Sequence, residues 1–353
     1  MLRGLPTRRW GVICLAPSEM LFPAPRAVVQ FSLRISKMIL VGDIGGTNAR
    51  FAIAMETDSK KIVISDYEKF KTREFKQFDE LLEKFVVGIK HKPHKAILAV
   101  AGPVKDGKAK FTNQNWLVDN KLIEEKCRIS SVEIVNDFAA MAMAVPKVGE
   151  EGFIEINRGE AHADAPILVS GPGTGFGSCI LVPQGNSWRT LPCEGGHSLF
   201  SPRDETQIEL VRILQRNNPN ISVENFCGGK GLNDLAQAVC ELKGHEYQEL
   251  SPHEILEKSV TGEEPYASTC TIRAEAIMSS LANMALVTGA RGGVIIAGGV
   301  AKHLVNFLSS KNALEAFTSV WPHNDMLKNI PIKLLIEPTA PLLGAAAFGF
   351  TRN

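Results

Sequence analysis

Two aspartates stand where apolar runs stop, and their neighbours suit phosphate and hydroxyl chemistry. Met38–Val41 leads into Gly42-Asp43-Ile44-Gly45-Gly46-Thr47-Asn48, and a second apolar run, Phe51–Met55, follows at once. Glycine lets a backbone approach a ligand closely and turn its N–H groups toward anionic oxygens. Asp43 adds a carboxylate of the kind Mg²⁺ takes directly or through water, and Thr47 adds a hydroxyl. Without a ligand the same residues make a plain hairpin. Asp137 follows Asn136 at the exit of Val132–Val135. A carboxylate there can take a proton from a substrate hydroxyl, which speeds a reaction by about 10²- to 10⁴-fold. Its bland role is a helix cap, worth about 1 kcal/mol.

A second glycine turn, Ser170–Gly177, carries Gly173, Thr174 and Gly175, and a third, Gly298-Gly299, ends the apolar run Gly293–Ala297. Two such turns face to face can hold a polyphosphate, whose oxygens are costly to enclose unpaired. The third suits an adenosine or an α-phosphate. Glu194-Gly-Gly-His197 keeps a carboxylate and an imidazole close, as a polyol's hydroxyls require. Glu224, before Gly228-Gly229, is a further hydroxyl acceptor or a solvated cap. Known motifs fit poorly. Gly228-Gly-Lys-Gly231 fails as a P-loop, and Phe176 sits at the third-glycine place of a dinucleotide fingerprint in Gly171–Gly177. No G-x-S-x-G is present, and the histidine lacks a third metal ligand at useful spacing.

The elements needed to position these residues can be read from periodicity. From Met38 the pattern is strand, glycine turn, strand, and a third strand near Lys61–Phe70. Phe78, Leu81, Leu82, Phe85, Val86 and Ile89 share one helical face. Ala96–Ala101 reads as a buried strand, Lys110–Asn113 as a short strand, and Leu122-Ile123 as part of a short helix. Val132–Val135 is a strand, and Phe138–Ala144 a helix stopped by Pro146. The plan then restarts: Pro166–Val169, the glycine turn, Ser178–Val182 and Trp188–Leu191 echo the opening as a weak internal repeat. Helices are expected over Glu205–Gln215, over much of Ile272–Thr288 and after Gly299. Ile332–Ile336 is the last strand, and Pro341–Phe350 is a small-residue helix able to pack closely on a neighbour.

The chain has 353 residues, 44% of them hydrophobic, which suggests two domains rather than one. A net charge of +1 recruits neither nucleic acid nor an anionic membrane. No apolar run approaches the roughly 20 residues of a membrane helix. Seven scattered cysteines without a C-x-x-C pair fit reduced thiols in a cytosolic setting. Residues 1–37 differ, with six Arg or Lys against Glu19 and several prolines. The segment reads as a disordered extension, or as preceding a natural start at Met38, and a cytoplasmic protein is expected. The alternative for this leader is an organellar transit peptide.

Six segments taken in order carry a resemblance: Val41–Arg50, Glu133–Phe138, Ser170–Gly177, Glu194–His197, Gly292–Val300 and Pro341–Gly349. Together, from about Met38 to the C-terminus, they resemble the ATP-dependent glucokinases of bacterial type, in the hexokinase–actin–heat-shock-protein ATPase superfamily. The resemblance implies an α/β fold of two ribonuclease-H-like domains, each on a five-stranded sheet, with an interdomain active-site cleft. It implies a small domain of residues 38–146 plus 337–353, to which the last helix returns, and a large one of 147–336. Asp137 would then be the general base on the glucose 6-hydroxyl. Asn113, Asn136, Glu194, His197 and Glu224 would bind the sugar. Gly45, Gly46, Thr47 and Asn48 would approach the transferred phosphate, with Asp43 holding Mg²⁺ through water. Gly173, Thr174 and Gly175 would meet the β- and γ-phosphates of ATP, and Gly298 and Gly299 would flank adenosine. A homodimer is what the family suggests. A related branch of sugar-sensing repressors and kinases carries a cysteine-rich zinc segment after E-x-G-H. Ser198–Asp204 has no cysteine, which points to the zinc-free glucokinases.

Rival readings follow from the same residues. A sugar sensor acting on DNA needs a DNA-reading domain, and residues 1–37 are too short for one with a linker. A nicotinamide oxidoreductase would rest on Gly171–Gly177. A kinase for another hexose or an amino sugar differs only in hydroxyl stereochemistry, which sequence does not resolve.

Overall fold

The structure is a computed structural model and describes residues 37–111 and 116–351. The expectations for the leader 1–36 and for Asn113 lie outside the described residues.

Alternation of apolar residues builds the first sheet. Its strands are β1 (Lys37–Ile44), β2 (Asn48–Glu56), β3 (Ile62–Lys71), β4 (Lys95–Val100) and, after a small separate sheet, β8 (Ser131–Asn136). The order is β3-β2-β1-β4-β8, with β1, β4 and β8 parallel. Leu40, Phe51, Ile53, Leu98 and Val100 point to one face, where α1 (Phe78–Gly88) and α2 (Asn120–Cys127) cover them. Ile39, Val41, Ala52, Ile97 and Ala99 point to the other, against α3 (Asp137–Ala144).

The small sheet between them is β5 (Val104–Lys105), β6 (Lys108–Phe111) and β7 (Trp116–Asp119). Sequence reading anticipated only one strand here. The hairpin turns on Asp106-Gly107, both at positive φ, which is the Asp-Gly signal for a tight turn.

The second sheet repeats the first. After β9 (Phe153–Asn157) come β10 (Ile167–Pro172), β11 (Phe176–Gln184), β12 (Ser187–Cys193), β13 (Gly293–Ile296) and β14 (Ile332–Leu335). The order β12-β11-β10-β13-β14 matches the first sheet strand for strand, and β9 then joins the far edge antiparallel to β14. This makes six strands where five were expected. The added strand is short and mostly uncovered, only Ile156 being buried, so its pattern lacks a continuous apolar face.

Helices cover the outer face of this sheet. They are α4 (Glu205–Leu214), α5 (Val223–Cys227), α6 (Leu232–Lys243), α7 (Pro252–Val260), α8 (Tyr266–Thr288), α9 (Val305–Leu308), α10 (Lys311–Thr318) and α11 (Asn324–Lys328). The segment after Gly299 is a 3₁₀ turn, Ala301–Leu304, running into the short α9.

The last helix, α12 (Ala340–Thr351), returns to the first sheet. Its small residues allow close approach: a Cβ on Gly344 would stand 1.7 Å from the Ala140 carbonyl oxygen of α3. Together α3 and α12 form an apolar layer that also receives Val169, Leu181, Ile295 and Leu335 from the second sheet. That double burial explains why α3 is apolar nearly all round.

Candidate active site

Parallel pairing brings three strand ends abreast. Asp43, Ala99 and Val135 are register partners, as are Ile44, Val100 and Asn136. Asp137 therefore lies two strands from Asp43, about 10 Å at ordinary strand spacing. It is the first residue of α3, and its carboxyl accepts the Phe138 N–H at 2.9 Å. Asn136 caps the helix by accepting from the Ala139 N–H at 3.1 Å and also donates to the Gly102 carbonyl at 3.2 Å. The cap and base roles thus fall on neighbouring residues, Asn136 taking the first and leaving Asp137 at the strand exit.

Burial pushes Asp137 up to about 7; the Phe138 N–H opposes this, and the charges of Asp43 and Glu194 add to it. Burial likewise raises Asp43, against the pull of Arg50, whose Nη1 donates to it at 3.3 Å. A carboxyl poised near neutrality beside a second buried carboxyl is the arrangement of a proton acceptor next to a cation position. Among the described residues no three His, Cys, Asp or Glu side chains gather into a cage. Mg²⁺ needs none, since it keeps waters and substrate oxygens around one or two carboxylates. Asp43, raised by burial and near enough to Asp137 for its charge to be felt there, fits that use.

The glycine turn after β1 is pinned from behind. Gly45 N–H donates to the Asn48 carbonyl at 2.9 Å, Thr72 N–H to the Thr47 carbonyl at 3.1 Å, and Thr72 Oγ1 to the Gly46 carbonyl at 3.0 Å. On the second sheet, the turn Gly173-Thr174-Gly175 is clamped by the segment after α5. Gly229 and Lys230 donate their N–H groups to the Gly173 and Thr174 carbonyls, each at 3.0 Å. Glu224 Oε2 accepts from the Phe176 N–H at 2.9 Å. The third turn joins them: Val300 N–H donates to the Pro172 carbonyl at 3.2 Å, and Gly298 sits at φ +112° against that same oxygen.

Glycine is required for different reasons at these positions. At Gly175, Gly177 and Gly298 an added Cβ would strike Glu224, Phe138 or Pro172. At Gly173 and Gly299 it would meet no protein atom within 4 Å, and at Gly45 only the Asn48 carbonyl at 3.5 Å, with no positive φ at any of the three. Neither backbone nor packing demands glycine there, so open space beside the turn is what its absence of a side chain preserves.

Glu194 and His197 stand 3.7 Å apart, both largely exposed at the end of β12. Gly196 presses on the Phe176 carbonyl, and Ser198 and Phe200 pair with Val223 and Ile221. This pairing brings the segment holding Glu224 alongside the one holding His197. Asn136 and Glu194 share the wall of a pocket of about 370 Å³. Glu194 is also near enough to Asp137 for its charge to be felt there, while Asp137, His197 and Glu224 do not line that pocket. Sequence reading missed Arg50, Thr72 and Phe138. Arg50 was findable, since a hairpin centred on the glycine turn pairs it with Asp43. The other two depend on contacts across the fold.

A family model described as glucokinase matches residues 40–351. The chain belongs to the glucokinase family. A glucokinase of Caulobacter sp. (strain K31) is 32% identical over 309 residues, covering 87% of this chain and 93% of that one. The crystal structure of a glucokinase from an Antarctic psychrotroph superposes with a TM-score of 0.81 at 31% identity, covering 89% of this chain and 99% of that one. A glucokinase from Balamuthia mandrillaris in complex with glucose has a TM-score of 0.74 at 21% identity, covering 88% and 93%. The two-sheet architecture is that of the hexokinase type. The family's reaction is ATP-dependent phosphorylation of glucose, and this chain is such a phosphotransferase. Among the described residues no helix is long and apolar enough to cross a membrane.

Proposed function

We propose that Asp137 is the general base that takes the proton of the glucose 6-hydroxyl as the γ-phosphate of ATP is transferred to it. Asn136, Glu194, His197 and Glu224 bind the remaining hydroxyls. The turn Gly45–Asn48 lies against the transferred phosphate, Gly173–Gly175 against the β- and γ-phosphates, and Gly298-Gly299 beside adenosine. Asp43 holds Mg²⁺ through water; the ion, when bound, neutralises charge on the phosphate oxygens. Residues 38–146 with 337–353 act as one lobe and 147–336 as the other, and their closure keeps water from competing with the sugar. Six free thiols among the described residues suit a reducing, cytosolic compartment.

The observation that carries this reading is the Asp137 carboxyl, at a strand exit between two glycine turns and pushed up to about 7. A base near the working pH both accepts and releases a proton readily. The test is ADP release coupled to a reporter, across glucose, mannose, fructose and N-acetylglucosamine, with and without Mg²⁺. Glucose should give the highest kcat/KM, and Asp137→Ala should lose at least about 100-fold in kcat while still binding sugar. Turnover near that of the parent in Asp137→Ala defeats the assignment.

A further inference from the structure

One short segment serves both halves of the site. Glu224, in α5, is the acceptor assigned to the sugar, and Gly229 and Lys230, just beyond α5, clamp the turn Gly173-Thr174-Gly175. The packing between them leaves no slack. A Cβ on Gly228 would stand 2.5 Å from the Glu224 carbonyl oxygen and 3.1 Å from that of Gly175, and one on Gly229 would stand 2.6 Å from that of Gly173. Any shift of α5 is therefore also a shift of the phosphate turn.

Five residues are too few for a helix to hold itself. A capping box of Ser222 and Asn225 secures the start of α5. Its end is left open by the chain: Gly228 departs in extended form, and no following N–H returns to the Cys227 carbonyl. That oxygen is met from α8 instead. Arg273, fully buried, donates to it from Nε at 3.0 Å and from Nη2 at 2.8 Å. Two donors on one planar fork set direction as well as distance. The arrangement is costly. Nη1 has no hydrogen-bond partner, and among the described residues no carboxylate pairs with the guanidinium. An apolar side chain would pack here at lower cost, so what the arginine supplies is position. The same helix carries Met284, whose Sδ lies 3.7 Å from the Ser170 and Ser178 hydroxyls at the base of the glycine hairpin. One long helix thus holds both sides of the clamp.

We propose that Arg273 is a positioning residue for the reaction. Through the Cys227 carbonyl it keeps Glu224 and Gly229-Lys230 in one register, so that sugar and nucleotide strengthen each other's binding. The proposal rests on the assignment of Glu224 to the sugar and of Gly173–Gly175 to the phosphates of ATP. Arg273 touches neither substrate. A purely structural Arg273 would lower the melting point when removed and leave this coupling unchanged.

Calorimetric titration of the full chain tests this, with glucose and a non-hydrolysable ATP analogue as probes in the presence of Mg²⁺. The parent should bind glucose about tenfold more tightly when the analogue is present, and the analogue should gain the same factor from glucose. In Arg273→Met both gains should shrink to about twofold or less, and Arg273→Lys, which keeps the charge without the fork, should fall between. Phe317→Leu, a core truncation in α10, should lower the melting point and keep the full gain. A parent with no gain overturns the proposal, as does a full gain in Arg273→Met or a lost gain in Phe317→Leu. Should neither Arg273 variant fold, hydrogen exchange on the parent decides. Glucose alone should slow exchange at the Gly229 and Lys230 amides about tenfold, and unchanged exchange there overturns the proposal. Glu224→Gln tests the reading beneath. Unaltered glucose affinity in that variant sinks the sugar assignment and the proposal with it. Weakened glucose binding in Glu224→Gln beside a full gain in Arg273→Met sinks the proposal alone.

Discussion

Replacing Asp137 by Asn should remove the base and strengthen the fold in one step. In the folded protein burial pushes this carboxyl up to about 7 from its ordinary 3.8. The folded state therefore holds the proton more tightly than the unfolded chain does. The stability that this group contributes is full below pH 4, declines as pH rises toward 7, and stays low above it. The full shift corresponds to about 4 kcal/mol at 1.36 kcal/mol per pH unit. The residue is only half-buried, so water screens it and about 1–2 kcal/mol is the expected cost at pH 8. Asp137→Asn should melt about 2–5 °C higher than the parent at pH 8 and together with it at pH 4.5. Its turnover should fall by at least about 100-fold, and the parent's kcat/KM should rise with pH through about 7. Thermal melts at the two pH values and the coupled ADP assay read both effects. An equal melting shift at pH 4.5 and pH 8 would refute the argument from burial, and undiminished turnover would refute the argument from position.

Other outcomes follow from the same contacts. Gly173→Ala and Gly298→Ala should separate function from folding: the first meets open space and should raise the KM for ATP about tenfold without lowering the melting point. The second combines φ +112° with a clash on the Pro172 carbonyl and should fold poorly, which a melt will show. Gly177→Ala would drive a Cβ to 2.0 Å from the Phe138 ring and so shift Asp137; kcat should fall about 100-fold, with glucose KM moving much less. Gly344→Ala would force α12 off the Ala140 backbone and should cost about 1–3 kcal/mol in urea denaturation. Burial pushes Cys127 to about 11 and Cys179 and Cys227 to about 12, so a thiol reagent at pH 8 should label these three only when the chain unfolds.

Much of this architecture was legible because local signals and global plan agree. The run–turn–run pattern at Val41–Arg50 and Ser170–Gly177 marked both hairpins, and the strand orders show the weak repeat to be a repeat of topology. The strand-exit aspartates were legible for the same reason: a short apolar run ends where its polar residue begins. Other features depend on distant partners. The edge strand Phe153–Asn157 exists because β14 offers it a free edge, and nothing in its own pattern announces that. Helices α6, α7 and α10 are outside the sequence expectations altogether, although each buries one apolar face, because they are short and set among polar loops. Residues 266–271 extend α8 by almost two turns beyond its expected start, because Tyr266 and Cys270 find a core there. Glu224 shows the limit of composition: its bond to the Phe176 N–H needs a segment 48 positions away. Asp106-Gly107 is a local turn signal, but the two-residue strand before it is too short to show a pattern of its own.

The apolar layer of α3 and α12 also sets a timetable for synthesis. The final helix of the chain covers part of the first sheet's inner face. Roughly 200 residues lie between the end of β8 at Asn136 and the start of α12 at Ala340. At about 5–20 residues per second, the ribosome needs on the order of 10–40 s to cross that gap. Throughout it Ile39, Val41, Ile97 and Ala99 await their partner, a sticky surface on a nascent chain. A stop codon that removed only the last dozen residues would leave that surface with α3 alone to cover it, and the truncated product should accumulate with chaperones or in aggregates.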